Sequence, residues 1–191
     1  MKSVRGVGYN LGGKYDSHNG KHPTDAYGVW SNMLARCYCQ KTQQNQPTYV
    51  GVTVCDDWHN FQNFADWYYS QKFKGNGYQL DKDLLLPNNK VYSPQVCCFV
   101  PKELNMLLLN NPSRRGEYPQ GVCYNKQKKR YQANISMNGV ATHLGRFDCP
   151  QEAYEVYKEH KEAYVKERAL HWRDHIAPEV YEALMSWELK K

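Results

Sequence analysis

Between Val122 and Phe147 this chain has no aspartate and no glutamate, although 19 of its 191 residues are acidic. A solvated protein surface ordinarily mixes both signs of charge, so a stretch of that length without a carboxylate is not a generic exposed face. Other absences narrow the class. No apolar run approaches the roughly 20 residues needed to cross a bilayer, and the opening MKSVRGVGYNLGGKY lacks an apolar stretch of secretory length. The simplest expectation is a cytoplasmic protein with no membrane partner. The seven cysteines are odd in number, and Cys37 with Cys39 and Cys97 with Cys98 do not make the paired C-x-x-C pattern of a zinc ribbon. Reduced thiols, most of them buried, are expected instead. Gly6, Gly8, Gly12 and Gly13 do not make a phosphate loop, because no Gly-Lys-Ser or Gly-Lys-Thr follows and no strand precedes them. They read as a flexible arm. No spacing sets Cys37, Cys55 or Cys97 beside a particular histidine, as a nucleophile and its base would require.

What is present supports a folded protein. Hydrophobic residues make up 41% of the chain and aromatics 14%, enough for one domain or two small cores. The formal charge of +6 favours an anionic partner only mildly, and its distribution says more. Lys126, Lys128, Lys129 and Arg130 form a run, with Arg114 and Arg115 shortly before it, where cations can meet phosphates.

Along the chain, Tyr27, Trp30, Leu34 and Tyr38 recur at helical spacing after a loose stretch ending near Pro23. TYVGVTVC reads as a strand, and Asp56 is placed to cap a helix bearing Trp58, Phe61, Phe64 and Tyr68, aromatics expected in a core. Tyr78 to Leu86 and Val91 to Val100 read as two strands around Pro87, Asn88 and Asn89, and Lys102 to Asn110 as a helix. The Asn-, Pro-, Ser- and Arg-rich segment that follows marks a boundary. The expected organisation is an N-terminal module over 1–110, a linker over 111–118, and a C-terminal domain over 119–191.

That domain opens with three short strands, GVCYNKQKKRYQANISMNGVATHLGRFD, and runs into a long helix. In the second strand, alternation puts Tyr131, Ala133, Ile135 and Met137 on one face and Arg130, Gln132, Asn134, Ser136 and Asn138 on the other. The apolar face needs the helix, whose Ala153, Val156, Tyr157, Ala163 and Tyr164 line one side, with Gln151 placed for a capping interaction. The polar face carries residue types that read base edges: Arg pairs with guanine, Asn and Gln with adenine. Beyond Pro178, Val180, Leu184 and Trp187 offer a last apolar stripe, expected to pack within the chain rather than on a second subunit.

The block GVCYNKQKKRYQANI, HLGRF and EAY resembles the Apetala or ethylene-response-factor type of DNA-binding domain over about 45 residues. That resemblance implies a sheet in the major groove, with Arg130, Gln132, Asn134, His143 and Arg146 at the bases and Lys126, Lys128 and Lys129 on phosphates. The preceding WSNMLARCY, VTVCDDWHNFQNF, LDKDLL and VYSPQVCCFVPKELN resemble phage proteins that join an HNH-type nuclease to such a domain. An HNH site gathers a base and metal ligands on one divalent ion, so the resemblance implies Mg2+ or Mn2+ if the protein is catalytic.

Carried over by position, Asp81 falls at the first metal ligand and Lys82 where a His or Arg often stands. A lysine is protonated at neutral pH and is a poor base without a large shift. Val96 stands where Asn is common, and the helix offers Asn105 but no His. Asp83 shares a face with Asp81 if the strand continues, so Asp81, Asp83 and Asn105 form the candidate metal set, and Lys82, Asp83 and His59 the candidate catalytic set. His18 and His22 are further candidate bases.

The expectation is therefore an α+β protein: an HNH-like strand-loop-strand-helix module with flanking helices, then a three-stranded antiparallel sheet packed on a long helix. It binds double-stranded DNA and cuts or nicks it with a divalent metal. The alternatives are a catalytically inactive, sequence-reading accessory or regulator, and an inhibitor whose partner is a host protein. For a phage-encoded chain the compartment is the host cytoplasm.

Overall fold

Helix α1, Asp25–Tyr38, begins where the Thr24 hydroxyl accepts the Tyr27 N–H at 3.4 Å, and its Trp30, Met33 and Leu34 enter an aromatic core. The structure is a computed structural model and describes residues 3–109 and 117–189. It is α+β, with six α-helices and nine strands among the described residues. The chain divides into two compact units: one runs to Lys102 and includes 175–180, and the other holds Glu103–Asp174 and the chain from Tyr181.

In the first unit the glycine-rich start is docked, contrary to the flexible arm expected of it. Tyr9 N–H donates to the His59 carbonyl and Phe61 N–H to the Tyr9 carbonyl, both at 2.9 Å. Gln62 Oε1 accepts the Tyr15 N–H at 3.0 Å, while its Nε2 donates to Tyr15 O at 2.9 Å and Asn10 Oδ1 at 3.0 Å. Gly8 is small for a packing reason: a Cβ there would stand 2.4 Å from Leu34 Cδ1 and 2.8 Å from the Trp30 ring. Glycine here permits close approach rather than motion. A hairpin of β1, His18–Asn19, and β2, His22–Pro23, then leads into α1, and α2, Gln40–Asn45, follows it.

The expected strand over 48–55 is mostly turn. Pro47–Tyr49 is a 3-10 turn, and only β3, Thr53–Val54, pairs. Asp56 does not cap the next helix. Asp56–His59 forms a 3-10 turn, and Asn60 Oδ1 accepts the Gln62 N–H at 3.1 Å to start α3, Phe61–Ser70. Trp58, Phe61, Phe64 and Tyr68 are buried, and Trp30 Nε1 donates to the Trp58 carbonyl at 2.7 Å.

Strand β4, Tyr78–Asp81, ends early because Asp81 Oδ1 accepts the N–H groups of Asp83 at 2.8 Å and Leu84 at 2.7 Å, which turns the chain. The strand expected over 91–100 is likewise divided. Val91–Tyr92 forms β5, parallel to β3, and Cys98–Pro101 forms β6, antiparallel to β4, with a turn between closed by Cys97 N–H on Ser93 O at 3.0 Å.

Helix α4, Lys102–Leu108, precedes the second unit's sheet of β7, Val122–Asn125, β8, Arg130–Met137, and β9, Val140–Phe147, in the order β7-β8-β9. Helix α5, Pro150–His171, covers one face of it: Ala133 and Ile135 are buried with Ala153 and Tyr157, and Tyr131 and Met137 pack on the same cluster. Tyr164 is buried and Val156 half-buried as expected, but Ala163 is exposed and Lys161 is buried. Gln151 does not cap the helix; its amide donates to Glu155 one turn on. The Tyr164 hydroxyl accepts Asn138 N–H at 2.9 Å and donates to Asn138 Oδ1 at 3.0 Å, holding the β8–β9 turn to the helix. Glu103 on α4 accepts from Arg168 Nε at 2.6 Å and Trp172 Nε1 at 3.2 Å. After α6, Pro178–Met185, Trp187 and Leu189 join the second unit's core.

All seven thiols are free, but only Cys37, Cys97 and Cys98 are buried, fewer than expected. Burial pushes the Cys37 and Cys97 thiols up to about 12, where they are inert as nucleophiles near neutrality. No helix among the described residues is long and apolar enough to cross a membrane.

Candidate nucleic-acid interface

The face of the sheet turned away from α5 is built by cross-strand register. Cys123 stands opposite Gln132, and Gln132 opposite Arg146. Strict alternation on β9 would put His143, three residues from Arg146, on the other side of the sheet. The register instead shifts between Ala133, paired with Gly145, and Asn134, paired with His143, leaving Leu144 as an extra, unpaired residue. This bulge reverses the parity of β9. Arg146 and His143 both face outward, while Leu144 packs on the helix side. Gly145 serves the bulge at φ 152°, and a Cβ there would stand 2.9 Å from the Phe147 ring.

Arg130, Gln132, Asn134, His143 and Arg146 therefore share one surface. The Asn134 side chain is held in it from both sides: its Oδ1 lies 3.1 Å from His143 Nδ1, and its Nδ2 donates to Cys123 Sγ at 3.5 Å. Arg130 Nε lies 3.2 Å from Asp148 Oδ1, with both side chains at least half exposed. Such a pair contributes at most about 1 kcal/mol, so a phosphate or guanine can displace the carboxylate. The exposed Lys126, Lys128 and Lys129 occupy the turn at one end, where Asn125 Oδ1 accepts the Lys128 N–H at 3.0 Å. Three strands about 4.8 Å apart span roughly 10 Å between outer strands, within the roughly 12 Å width of the B-DNA major groove. Arg114 and Arg115 lie outside the described residues.

Cys123 stands on the same face, and sequence reading did not place it there. A signal for it exists: counting back from the β7–β8 turn sets it opposite Gln132, but the turn length has to be known first.

Around Asp81 the arrangement is different. The strand ends there, so Asp83 does not share a strand face with Asp81. Lys82 is buried, and its ammonium lies 2.6 Å from both carboxylate oxygens of Asp83 and 2.8 Å from Asn89 O. Asn89 returns a bond to Lys82 O at 3.0 Å, so Lys82, Asp83 and Asn89 clamp the loop over 82–90. Burial holds the Asp81 carboxyl above its ordinary value, against the two backbone N–H bonds it accepts.

His59 Nε2 lies 3.3 Å from the Tyr38 hydroxyl, which itself accepts Val54 N–H at 3.0 Å. Asn105 belongs to α4, in the other unit. Among the described residues no three His, Cys, Asp or Glu side chains come together as a metal site. Within the candidate donor set, Asp81 Oδ1 is engaged by two backbone N–H groups and both oxygens of Asp83 face the Lys82 ammonium, an arrangement that works against a magnesium ion, which needs free oxygens. Lys82 acts as a donor to the loop, His59 as a packing partner of Tyr38, and His18 and His22 sit on the exposed β1–β2 hairpin.

No protein-family model, curated protein or solved structure matches the chain.

Proposed function

We propose that this protein binds double-stranded DNA by laying the outer face of β7-β8-β9 in the major groove. The observation that carries this is the β9 bulge, which gathers Arg130, Gln132, Asn134, His143 and Arg146 on one surface free of carboxylates between Val122 and Phe147. Arginine and amide side chains on that surface match the donor and acceptor pattern of guanine and adenine edges. The lysines of the β7–β8 turn supply sequence-independent attraction to phosphates. Asp148 stands at the margin and yields Arg130 on binding.

For the N-terminal module we favour a supporting role without cleavage, because the Lys82–Asp83 pair opposes both a metal site and a general base. Cutting remains the second reading, favoured by one observation: the antiparallel pair β4 and β6, with β5 in the connection between them, is followed along the chain by α4, which resembles the strand-loop-strand-helix order of the HNH-type nucleases.

The deciding experiment selects bound duplexes from a random library with the full-length protein, with and without magnesium or manganese, and maps DNA ends. Enrichment of one motif on intact duplex is expected. Replacing Arg130 and Asn134 together by alanine should weaken that preference by about 1–3 kcal/mol for each base-reading side chain removed, while the fold survives. An unchanged preference would remove the sheet from the groove, and metal-dependent breaks clustered near the motif would establish the second reading.

A further inference from the structure

Asn134 sits in the middle strand with a partner on each neighbouring strand. An amide offers two acceptor sites on oxygen and two donors on nitrogen. His143 Nδ1 takes one acceptor site at 3.1 Å, and Cys123 Sγ takes one donor at 3.5 Å. One acceptor and one donor are left, on an amide with partners on both flanking strands. Turning the amide over exchanges the roles of the imidazole and the thiol but leaves the same remainder. One acceptor and one donor side by side match adenine N6–H and N7 in the major groove, and no other base presents that pair there.

Resting on the DNA-binding reading above, we infer that Cys123 and His143 are positioning residues that fix Asn134 as the reader of an adenine. That adenine lies about two base pairs from the guanine read by Arg146. The spacing follows from the register. Arg146 is in the Gln132 row and His143 in the Asn134 row, two residues apart on β8. Two residues of strand rise about 6.8 Å, close to two base-pair steps of about 3.4 Å each for a strand laid along the groove. Holding the amide before the DNA arrives removes rotamer freedom that binding would otherwise have to freeze.

The test uses the full-length protein on the duplex enriched from the random library, with 7-deazaadenine or purine replacing the adenine in turn. Each analogue removes one of the two base groups. Wild type should lose affinity with either, by roughly 5- to 150-fold in total for a bidentate pairing, and Asn134→Ala should be insensitive to both. His143→Ala and Cys123→Ala should lose discrimination at the adenine position alone, leaving the guanine position unchanged. His143→Gln, which can still donate to the amide, should recover part of it. Uniform loss on every sequence in the His143 and Cys123 variants would overturn the positioning role while leaving DNA binding intact. Failure of wild type to retain any duplex would overturn the DNA-binding reading itself.

Discussion

The Lys82 ammonium lies 2.6 Å from each carboxylate oxygen of its neighbour Asp83, and the two residues differ sharply in exposure, with side chains 7% and 52% accessible. The lysine is the buried half of the pair. Lys82→Met keeps the stem but leaves Asn89 O without its donor, and is expected to destabilise the fold by about 1–3 kcal/mol. Asp83→Asn should cost less than about 1 kcal/mol, since water screens the carboxylate. Urea midpoints at an unchanged slope measure both; equal losses would sink the clamp.

Asp81 carries a pH prediction. Burial is the largest influence on its carboxyl and raises its pKa above the unfolded value, so the folded protein binds the proton more tightly than the unfolded chain. Stability from this group therefore falls as pH rises, starting near the unfolded value of about 3.9 and levelling off once pH passes the folded pKa. Asp81→Asn keeps an oxygen for the Asp83 and Leu84 N–H groups and cannot ionise. It should match wild type at the acid end and exceed it at neutral pH, measured by denaturation across the range. A variant less stable than wild type at pH 7 would contradict this.

Gly8→Ala probes the docked N-terminus. The added methyl meets Leu34 and the Trp30 ring, both fully buried and without room to move, so a loss of about 1–3 kcal/mol is expected by thermal or urea unfolding. A neutral substitution would mean that the segment is not part of the core.

The turn lysines make a quantitative prediction for DNA. Replacing Lys126, Lys128 and Lys129 by glutamine should reduce the slope of log affinity against log salt by about 0.9 for each phosphate that a lysine neutralises in the wild type. The enriched motif should stay the same. A changed motif with an unchanged slope would move these residues from the phosphates to the bases.

Several features were legible in the sequence because they depend on local periodicity. The alternation of Tyr131, Ala133, Ile135 and Met137 marks the helix-facing side of β8, and the spacing of Trp30 and Leu34 marks α1. Asn138, expected on the outer face of the strand, instead lies in the β8–β9 turn at φ 50° and bonds the Tyr164 hydroxyl. The acid-free stretch is a property of composition and needs no coordinates.

Tertiary structure decided the rest, because the deciding partners are distant in sequence. Gly8 looks like a loose glycine until Trp30 and Leu34 are packed against it. Asp81, Lys82 and Asp83 look like an acidic metal strand until the backbone of Leu84 and the carbonyl of Asn89 claim their charges. Alternation alone would separate His143 from Arg146; the one extra residue at Leu144 brings them together, and that register shift exists only through pairing with β8. A period-2 pattern describes one strand, whereas the composition of a face is a property of the whole sheet.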